Sequence, residues 1–378
     1  MKKIIKTSTV PASLNTFCKG QLKMLSQYFE VVAVSSPMKE LELINQREAV
    51  RTIAVPMERH ISIFKDLLSL FKMIAVFRKE KPYIVHSITP KAGLISMLAA
   101  WICRVPVRMH TYTGLVFPTA KGIKKLVLIW MDKLLCFSAT EINPESLGVK
   151  SDLERYHITR KPLTMIANGN VRGIDLTYYD RTPEVEAKAE QFRRKDTFTF
   201  CFVGRIVKDK GIEELVSAFS RLHEENPNTR LLLIGSFEEK LDPLSVTTKN
   251  RIKQGNGIVY LGRQSDVRPY YAASEALVFP SYREGMPNVV LEAGAMGLPS
   301  IVTDINGSRE IICQDVNGVI IPTHNSEALY HEMCRFANDR ELTSRLASNA
   351  RGNIANRYEQ KMIWNALLEE YLKLTNNV

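Results

Sequence analysis

The second half of the chain has a repeating grammar that leaves few possible folds. Short, unalternating, mostly apolar runs end in glycine or proline, and helical segments separate them. Phe198-Thr-Phe-Cys-Phe-Val203 stops at Gly204, Arg230-Leu-Leu-Leu-Ile at Gly235, and Gly257-Ile-Val-Tyr-Leu at Gly262. Ala276-Leu-Val-Phe stops at Pro280, and Pro299-Ser-Ile-Val-Thr303 follows. Residues 212–223, 267–274 and 288–296 place apolar side chains at helical spacing between these runs. Strands that are apolar on both faces, rather than alternating, belong to a parallel sheet covered by helices on both sides. The first half repeats the pattern more faintly. Strands are expected at residues 4–5, 29–34, 52–55, 83–86 and 107–110, with helices at 19–27, 61–79 and 93–103. A chain of 378 residues is too long for one core and suits two units. The turn-rich stretch Asn168-Gly-Asn-Val-Arg-Gly173 and the charged segment 182–195 mark the junction. The expectation is an α/β chain of two facing doubly wound, Rossmann-like domains. A cleft would lie at the carboxyl ends of both sheets.

Charge separates the two halves. Residues 1–176 carry 26 basic and 13 acidic side chains, a net +13, and residues 177–378 carry 25 and 27, a net −2. Such an asymmetry predicts different partners for the two units: a basic half suits nucleic acid, an anionic membrane or a phosphorylated substrate. Cys18, Cys103, Cys136, Cys201, Cys313 and Cys334 form no CxxC pair. They read as buried thiols of a reducing compartment, with no zinc pattern. The N-terminus, Met1-Lys-Lys-Ile-Ile-Lys, lacks the apolar run of a signal peptide. The longest apolar stretch, 92–103, is shorter than the roughly 18 residues of a membrane span. A cytoplasmic protein, soluble or bound at a surface, is expected.

The segment Pro280-Ser-Tyr-Arg-Glu284-Gly285-Met286-Pro287-Asn288-Val289-Val-Leu-Glu292-Ala-Gly-Ala-Met-Gly-Leu-Pro299 carries the most chemistry. It reads as a strand end, a loop and a helix with Pro287 at the first helical position, leaving N–H groups from Asn288 to Val290 free for a phosphate. Glu284 stands before that amide cluster and Glu292 about one turn beyond it, so the two carboxylates suit hydroxyls on either side of a diphosphate. Upstream, Phe202-Val-Gly204-Arg205-Ile-Val-Lys-Asp-Lys210-Gly211 puts a glycine turn and two cations before a helix. Arginine forks onto phosphate and lysine adds a compact charge. The plainer alternatives are a structural helix with solvated carboxylates and an exposed basic loop.

Together these runs resemble the signature of glycosyltransferase family 4, retaining enzymes of the GT-B fold. The match is strong over residues 198–325 and diffuse in the first half. The resemblance implies a donor-binding domain at 173–357 and an acceptor-binding domain at 1–172, with a C-terminal helix within 358–378 crossing back to the first domain. It implies that Glu292 binds the donor ribose, that Glu284 holds hydroxyls of the transferred sugar, and that Arg205 and Lys210 neutralise the departing diphosphate. Gly262-Arg263 resembles the stretch whose backbone meets the nucleobase. Gly235-Ser236 and the loop from Thr303 to Glu310 follow the family's contour. His110, read at a strand end, matches a family histidine that approaches the reacting sugar. The family's glycine-rich first turn is replaced here by the glycine-free Ser8-Thr-Val-Pro11-Ala-Ser13-Leu-Asn15. No Asp-x-Asp metal motif is present, so no metal and no cofactor beyond the nucleoside diphosphate sugar is expected, with UDP the favoured nucleotide and GDP the second.

In the basic half, residues 61–81 and 117–137 mix apolar and cationic side chains, the second with Lys121, Lys124, Lys125 and Trp130. Each alone reads as an amphipathic core helix. With the charge confined to this half, docking on an anionic inner-membrane surface becomes the better joint reading. The family resemblance implies a lipid-linked acceptor such as an undecaprenyl diphosphate saccharide, used in making capsule or O-antigen. A GT-B nucleotide-sugar epimerase and a non-catalytic nucleotide-sugar or membrane-binding module are the alternatives. No Gly-x-Gly-x-x-Gly follows a strand, which disfavours a dinucleotide oxidoreductase, and no nucleic-acid-binding module is recognisable.

Overall fold

The computed structural model describes residues 1–58, 62–239 and 242–376. Residue Ile61 of the expected 61–79 helix, and the last two residues of the 358–378 segment, lie outside the described residues. The elements run β1 (Lys3–Thr7), α1 (Pro11–Cys18), α2 (Gln21–Leu25), β2 (Glu30–Ser35), α3 (Lys39–Glu48), β3 (Arg51–Ala54), α4 (Ile63–Glu80), β4 (Ile84–Ser87), α5 (Pro90–Ile102), β5 (Val107–Tyr112), α6 (Gly122–Ser138), β6 (Glu141–Pro144) and α7 (Leu147–Arg155). They continue with α8 (Pro183–Ala189), β7 (Phe198–Val203), α9 (Ile212–Glu225), β8 (Thr229–Ile234), α10 (Val246–Gln254), β9 (Ile258–Gly262), α11 (Arg268–Ala272), β10 (Ala276–Phe279) and α12 (Asn288–Ala295). The last are β11 (Ser300–Thr303), α13 (Ser308–Ile311), β12 (Gly318–Ile321), α14 (Ser326–Asn338), α15 (Arg340–Tyr358) and α16 (Gln360–Asn376).

The chain divides into two compact units, Met1–Gly173 with Gln360–Val378, and Ile174–Glu359. Each unit holds one six-stranded sheet, ordered β3-β2-β1-β4-β5-β6 in the first and β12-β11-β10-β7-β8-β9 in the second. The strand pairs in both sheets are parallel. Numbered within its own unit, the second sheet reads 6-5-4-1-2-3, the reverse listing of the same doubly wound order. In each, the order reverses between the first and fourth strands, β1 and β4 or β7 and β10. A crevice outside the strand ends at that reversal is where such sheets take ligands.

Strand periodicity explains how the first sheet is covered on both sides. Side chains alternate across a strand, so Ile4 and Val31 enter one core while Ile5 and Val32 enter the other. The first of these cores is closed by Leu14, Leu22, Ile44 and, from α16, Leu367 and Tyr371. The second is closed by Met73 and Phe77 of α4, Ile95 and Ala99 of α5, and Leu135 of α6. Unit two packs around a single cluster through Phe200, Phe202, Leu215, Phe219, Leu232, Leu277 and Val290.

The sequence pattern passes over the edge strands β6 and β12. Glu141-Ile-Asn-Pro144 contains one aliphatic residue, and β12 opens on a glycine. Gly318 is needed there because a Cβ would stand 2.2 Å from the Ser300 carbonyl oxygen of β11. The expected helix at 19–27 shortens to α2, since Gly20 takes φ +79° and cannot continue a helix. The glycine-free stretch 8–15 is a loop only as far as Val10. Pro11 begins α1 in its first turn, where its missing N–H costs nothing.

Close backbone approach sets the strand ends of the second unit. A Cβ on Gly235, at φ +150°, would lie 1.7 Å from the Gly204 carbonyl oxygen. Gly262, at φ +64°, has nothing within 4 Å of a Cβ. Gly235→Ala should therefore cost more than the ~1–3 kcal/mol of backbone strain alone, whereas Gly262→Ala should cost only the left-handed strain, about 1–2 kcal/mol. Thermal unfolding of the two variants checks the order; equal losses would contradict the close approach.

Candidate functional site

The strand-order reversal of the second unit gathers the charged residues. β7 delivers Gly204 and Arg205, a short 3-10 turn at Lys208–Lys210 follows, and β10 delivers Ser281 to Glu284. Gly211, at φ +69°, lets the turn press against the end of β10, because a Cβ there would sit 2.1 Å from the Pro280 carbonyl oxygen. Tyr282 N–H donates to the Asp209 carbonyl at 2.9 Å and locks the two loops together. Lys210 Nζ donates to Glu284 Oε1, and both side chains are largely buried. Ser281 Oγ adds a 3.0 Å bond to the same carboxylate oxygen. Lys210 Nζ also stands 5.7 Å from the centroid of the Phe279 ring.

Arg205 is half-exposed, 3.0 Å from Glu238 and 3.9 Å from Asp209. Asp209 Oδ2 also receives Arg283 at 3.0 Å. Both cations singled out in the sequence are thus paired with carboxylates, which hold them at the strand ends. A polyanion arriving there would compete with those carboxylates for charge-assisted hydrogen bonds. Below this layer, Tyr282 donates to Glu214 at 2.6 Å, and burial together with that carboxylate pushes its phenol well above the ordinary range.

Two details of helix α12 differ from expectation. Pro287 is its N-cap, with extended ψ of 107°, and the helix begins at Asn288. Val290 N–H donates to the Pro287 carbonyl at 3.1 Å, so it is not free for a phosphate. The Gly285–Pro287 loop is pinned from outside: a Cβ on Gly307 would lie 2.4 Å from the Gly285 oxygen and 2.8 Å from Met286 Cα. Asn288 and Val289 keep intermediate exposure, while Met286 is buried. Glu292 is only 7% exposed and accepts from Tyr271 Oη at 3.3 Å. Burial and the neighbouring Glu292 push the Tyr271 phenol well up, so it stays a donor. Gly262 ends β9, its carbonyl accepting from Gly235 N–H at 2.9 Å, with exposed Arg263 following it. Sequence reasoning did not single out Tyr271, Ser281, Asp209 or Glu238. Tyr271 and Glu292 meet only through folding, 21 residues apart in the chain.

In the first unit, β5 continues to Tyr112, so His110 lies within the strand rather than at its end. It is 1% exposed, its Nδ1 is 2.8 Å from Ser87 Oγ, and its ring meets Tyr112 edge-on at 4.5 Å. Burial pushes its pKa down to about 3, so the imidazole is neutral at working pH and supplies hydrogen bonding, not charge. The glycine-free first turn is held by hydroxyls. Thr9 N–H donates to Thr89 Oγ1 at 2.9 Å, Ala92 N–H donates to Thr9 Oγ1 at 3.2 Å, and Ser36 Oγ donates to the Thr9 carbonyl at 2.7 Å.

Helices α4 and α6 carry apolar side chains outward as well as inward. Phe64 is 88% exposed and Trp130 71%, alongside exposed Ile63, Leu67, Phe71, Ile123, Leu126 and Phe137. Lys121 caps α6 and is exposed with Lys124. Lys125 instead turns onto Tyr156, with Nζ 3.2 Å from the hydroxyl. Among the described residues no helix is long and apolar enough to cross a membrane.

Comparison with known proteins shows the family and the fold. The family described as glycosyl transferases group 1 matches residues 184–353, and the glycosyl transferase 4-like domain matches residues 24–169. The chain is 34% identical over 373 residues to the capsular polysaccharide biosynthesis glycosyltransferase CapM of Staphylococcus aureus, covering 98% of this chain and 97% of that protein. It is 27% identical to the UDP-Gal:alpha-D-GlcNAc-diphosphoundecaprenol alpha-1,3-galactosyltransferase of Escherichia coli, covering 82% of this chain and 80% of that one. Among solved structures, Anabaena Alr3699/HepE in complex with UDP and glucose superposes with a TM-score of 0.83 at 17% identity, covering 99% of this chain and 100% of that one, a likeness of GT-B fold.

The Tyr271–Glu292 bond yields a direct test. Tyr271→Phe removes the donor and leaves Glu292 partly unsatisfied, which should cost about 1–3 kcal/mol of stability. Chemical denaturation measures the loss, and an unchanged midpoint would contradict the pairing.

Proposed function

Because the chain belongs to the group 1 glycosyltransferases, we propose that it moves a hexose or N-acetylhexosamine from a nucleoside diphosphate sugar, UDP-linked by preference, to a lipid-linked saccharide, with retention at the anomeric carbon. The enzyme class, a glycosyltransferase of GT-B fold, is established by the full-length similarity to its relatives. The observation that carries the finer reading is the contact of Lys210 with Glu284, 74 residues apart, at the strand-order reversal where a sheet of this order takes its ligand.

The chemistry follows from charge. As the glycosidic bond to the diphosphate lengthens, negative charge grows on the leaving oxygen and positive charge on the sugar ring. Preorganised donors aimed at the developing anion lower that barrier most. Lys210 and Arg205 take the diphosphate, helped by the amides at the start of α12. Glu284, released from Lys210, turns to hydroxyls of the transferred sugar, while Glu292 holds the ribose hydroxyls at the other end of the donor. His110, neutral, supplies hydrogen bonding within the first unit. Positive side chains and backbone dipoles suffice for this work, and no metal is assigned to it.

The acceptor reading rests on relatives and on the surface of the first unit. The Escherichia coli relative is named for a sugar-diphosphoundecaprenol acceptor and the Staphylococcus aureus relative for capsule synthesis. Exposed apolar side chains on α4 and α6 stand beside Lys65, Lys72, Lys121 and Lys124. Apolar burial and near-surface cations, each contributing about 1 kcal/mol, would together hold the protein on the anionic cytoplasmic face of a membrane. On this reading the protein is peripheral and serves surface polysaccharide synthesis.

Lys210→Ala should lower kcat by about 10²–10³-fold and leave the fold intact by circular dichroism. A kcat near wild type would remove Lys210 from the diphosphate role. Co-sedimentation should be stronger with vesicles containing anionic lipid than with neutral ones, and Phe64→Ala with Trp130→Ala should weaken it. Indifference to lipid charge would reject the membrane reading while leaving the donor site standing.

A further inference from the structure

The first unit contains a cavity of about 660 Å³, within the size range of small-ligand pockets. Its wall includes Lys91, Leu94, Tyr112, Lys124, Leu128 and Asp132. Thr9 and Thr89, which close the strand-order reversal between β1 and β4, also line it, so it occupies the ligand-taking position of this sheet. Asp132 is the sole carboxylate among the described residues of that wall. It sits in the middle of α6, one turn from Leu128 and from Cys136, where the core-facing pattern calls for an apolar residue.

Its surroundings do not explain a structural carboxylate. Tyr112 Oη lies 3.4 Å from Oδ1 and is shared with Cys136 Sγ at 3.2 Å. Lys91, across the cavity, is paired with Asp66 at 2.7 Å. Lys124, on the same helix, makes no ion pair with Asp132 among the described residues. A carboxylate with one long hydrogen bond, facing a cavity with an apolar wall, is poised for hydroxyl groups from outside the protein.

Resting on the reading above that the acceptor is a lipid-linked saccharide, we propose that Asp132 binds that saccharide, its ionised carboxylate accepting hydrogen bonds from the sugar hydroxyls inside this cavity. The lipid portion then leaves toward the exposed apolar side chains of α6, whose Ile123, Leu126 and Val127 precede the cavity-lining Leu128. Lys124, exposed and on the same wall, stands where the acceptor's phosphate would follow its sugar.

The protonation of Asp132 makes the role measurable. Burial pushes its pKa up to about 7, opposed by the hydrogen bond from Tyr112. The other titratable groups facing it are placed away from neutrality: burial holds His110, behind Tyr112, at about 3, moves Cys136 up to about 12, and moves Tyr112 well up. Lys91, with its partner Asp66, and Lys124 complete the charged surroundings. Since the ionised form binds, kcat/KM for the acceptor should rise as pH passes through about 7.

The test compares wild type with Asp132→Asn on a panel of short-chain prenyl diphosphate mono- and oligosaccharides, with nucleoside diphosphate sugar as donor. Asp132→Asn should raise the acceptor KM about 10- to 100-fold, leave the donor KM unchanged, and abolish the pH step near 7. Leu128→Trp, which fills the cavity from the same helix, should raise the acceptor KM as well. Folding is checked by the melting temperature. A carboxyl pKa of about 7 in the folded protein, above its unfolded value of about 3.9, means that wild type loses stability between roughly pH 4 and 7. The Asn variant should therefore melt higher than wild type, by a margin that widens over that range and then levels. If wild type transfers sugar and Asp132→Asn keeps both the acceptor KM and the pH step, the assignment of Asp132 is overturned. If wild type transfers to none of these lipids, the acceptor reading on which it rests is overturned instead.

Discussion

A lysine held against a glutamate where the strand order reverses is the interaction around which the second unit is organised. Parallel strands must be joined by crossovers, and the crossovers put loops at the carboxyl ends of the sheet. At β7 and β10 two such loops meet. Gly211 allows a backbone approach that any Cβ would block, Tyr282 N–H ties the loops together, and Lys210 and Glu284 close on one another. Partial burial makes this pairing necessary, because either charge alone would face a steep desolvation cost. An anion stronger than one carboxylate would compete with Glu284 for Lys210.

The first unit solves the same topological problem with different chemistry. Its reversal is closed by hydroxyls: Thr9, Thr89, Ser8, Ser35 and Ser36 bond one another and the nearby backbone. Beneath them lies a buried polar cluster. Lys6 Nζ stands 3.1 Å from His86 Nδ1, which meets Tyr371 Oη at 2.5 Å, while His86 Nε2 meets Thr111 at 2.7 Å. Burial pushes Lys6 down and His86 well down, so the imidazole stays neutral beside the lysine. Tyr371 comes from α16, and this network together with Leu367 and Leu368 anchors the end of the chain to the first sheet.

Much of this was legible in the sequence, for physical reasons. Central strands such as Phe198–Val203 are buried on both faces and must be continuously apolar, which is visible in one dimension. The edge strands β6 and β12 are not: one has a single aliphatic residue and the other a glycine whose purpose is a close approach to β11. The charged loops at the strand ends of the second unit were legible because Arg205, Lys210, Glu284 and Glu292 lie in two short runs with characteristic spacing. Tyr271 and Ser281 were not, since what matters about them is a partner reached only after folding. Residues 8–15 read as a glycine-free replacement for the family's first turn, and nothing in that pattern shows that Pro11 starts a helix there. Amphipathic periodicity located α4 and α6 but did not reveal that both are apolar on the outer face too. Asp132 was passed over for a related reason: an aspartate within a basic helix looks solvated until its cavity is seen.

If Lys210 takes the diphosphate, Glu284 and a nucleoside diphosphate compete for it. Calorimetric titration of UDP, and of GDP in parallel, into wild type and Glu284→Gln tests it most directly. Removing the carboxylate charge should tighten nucleoside diphosphate binding several-fold even as sugar transfer is lost. Unchanged or weaker binding by the variant would contradict it.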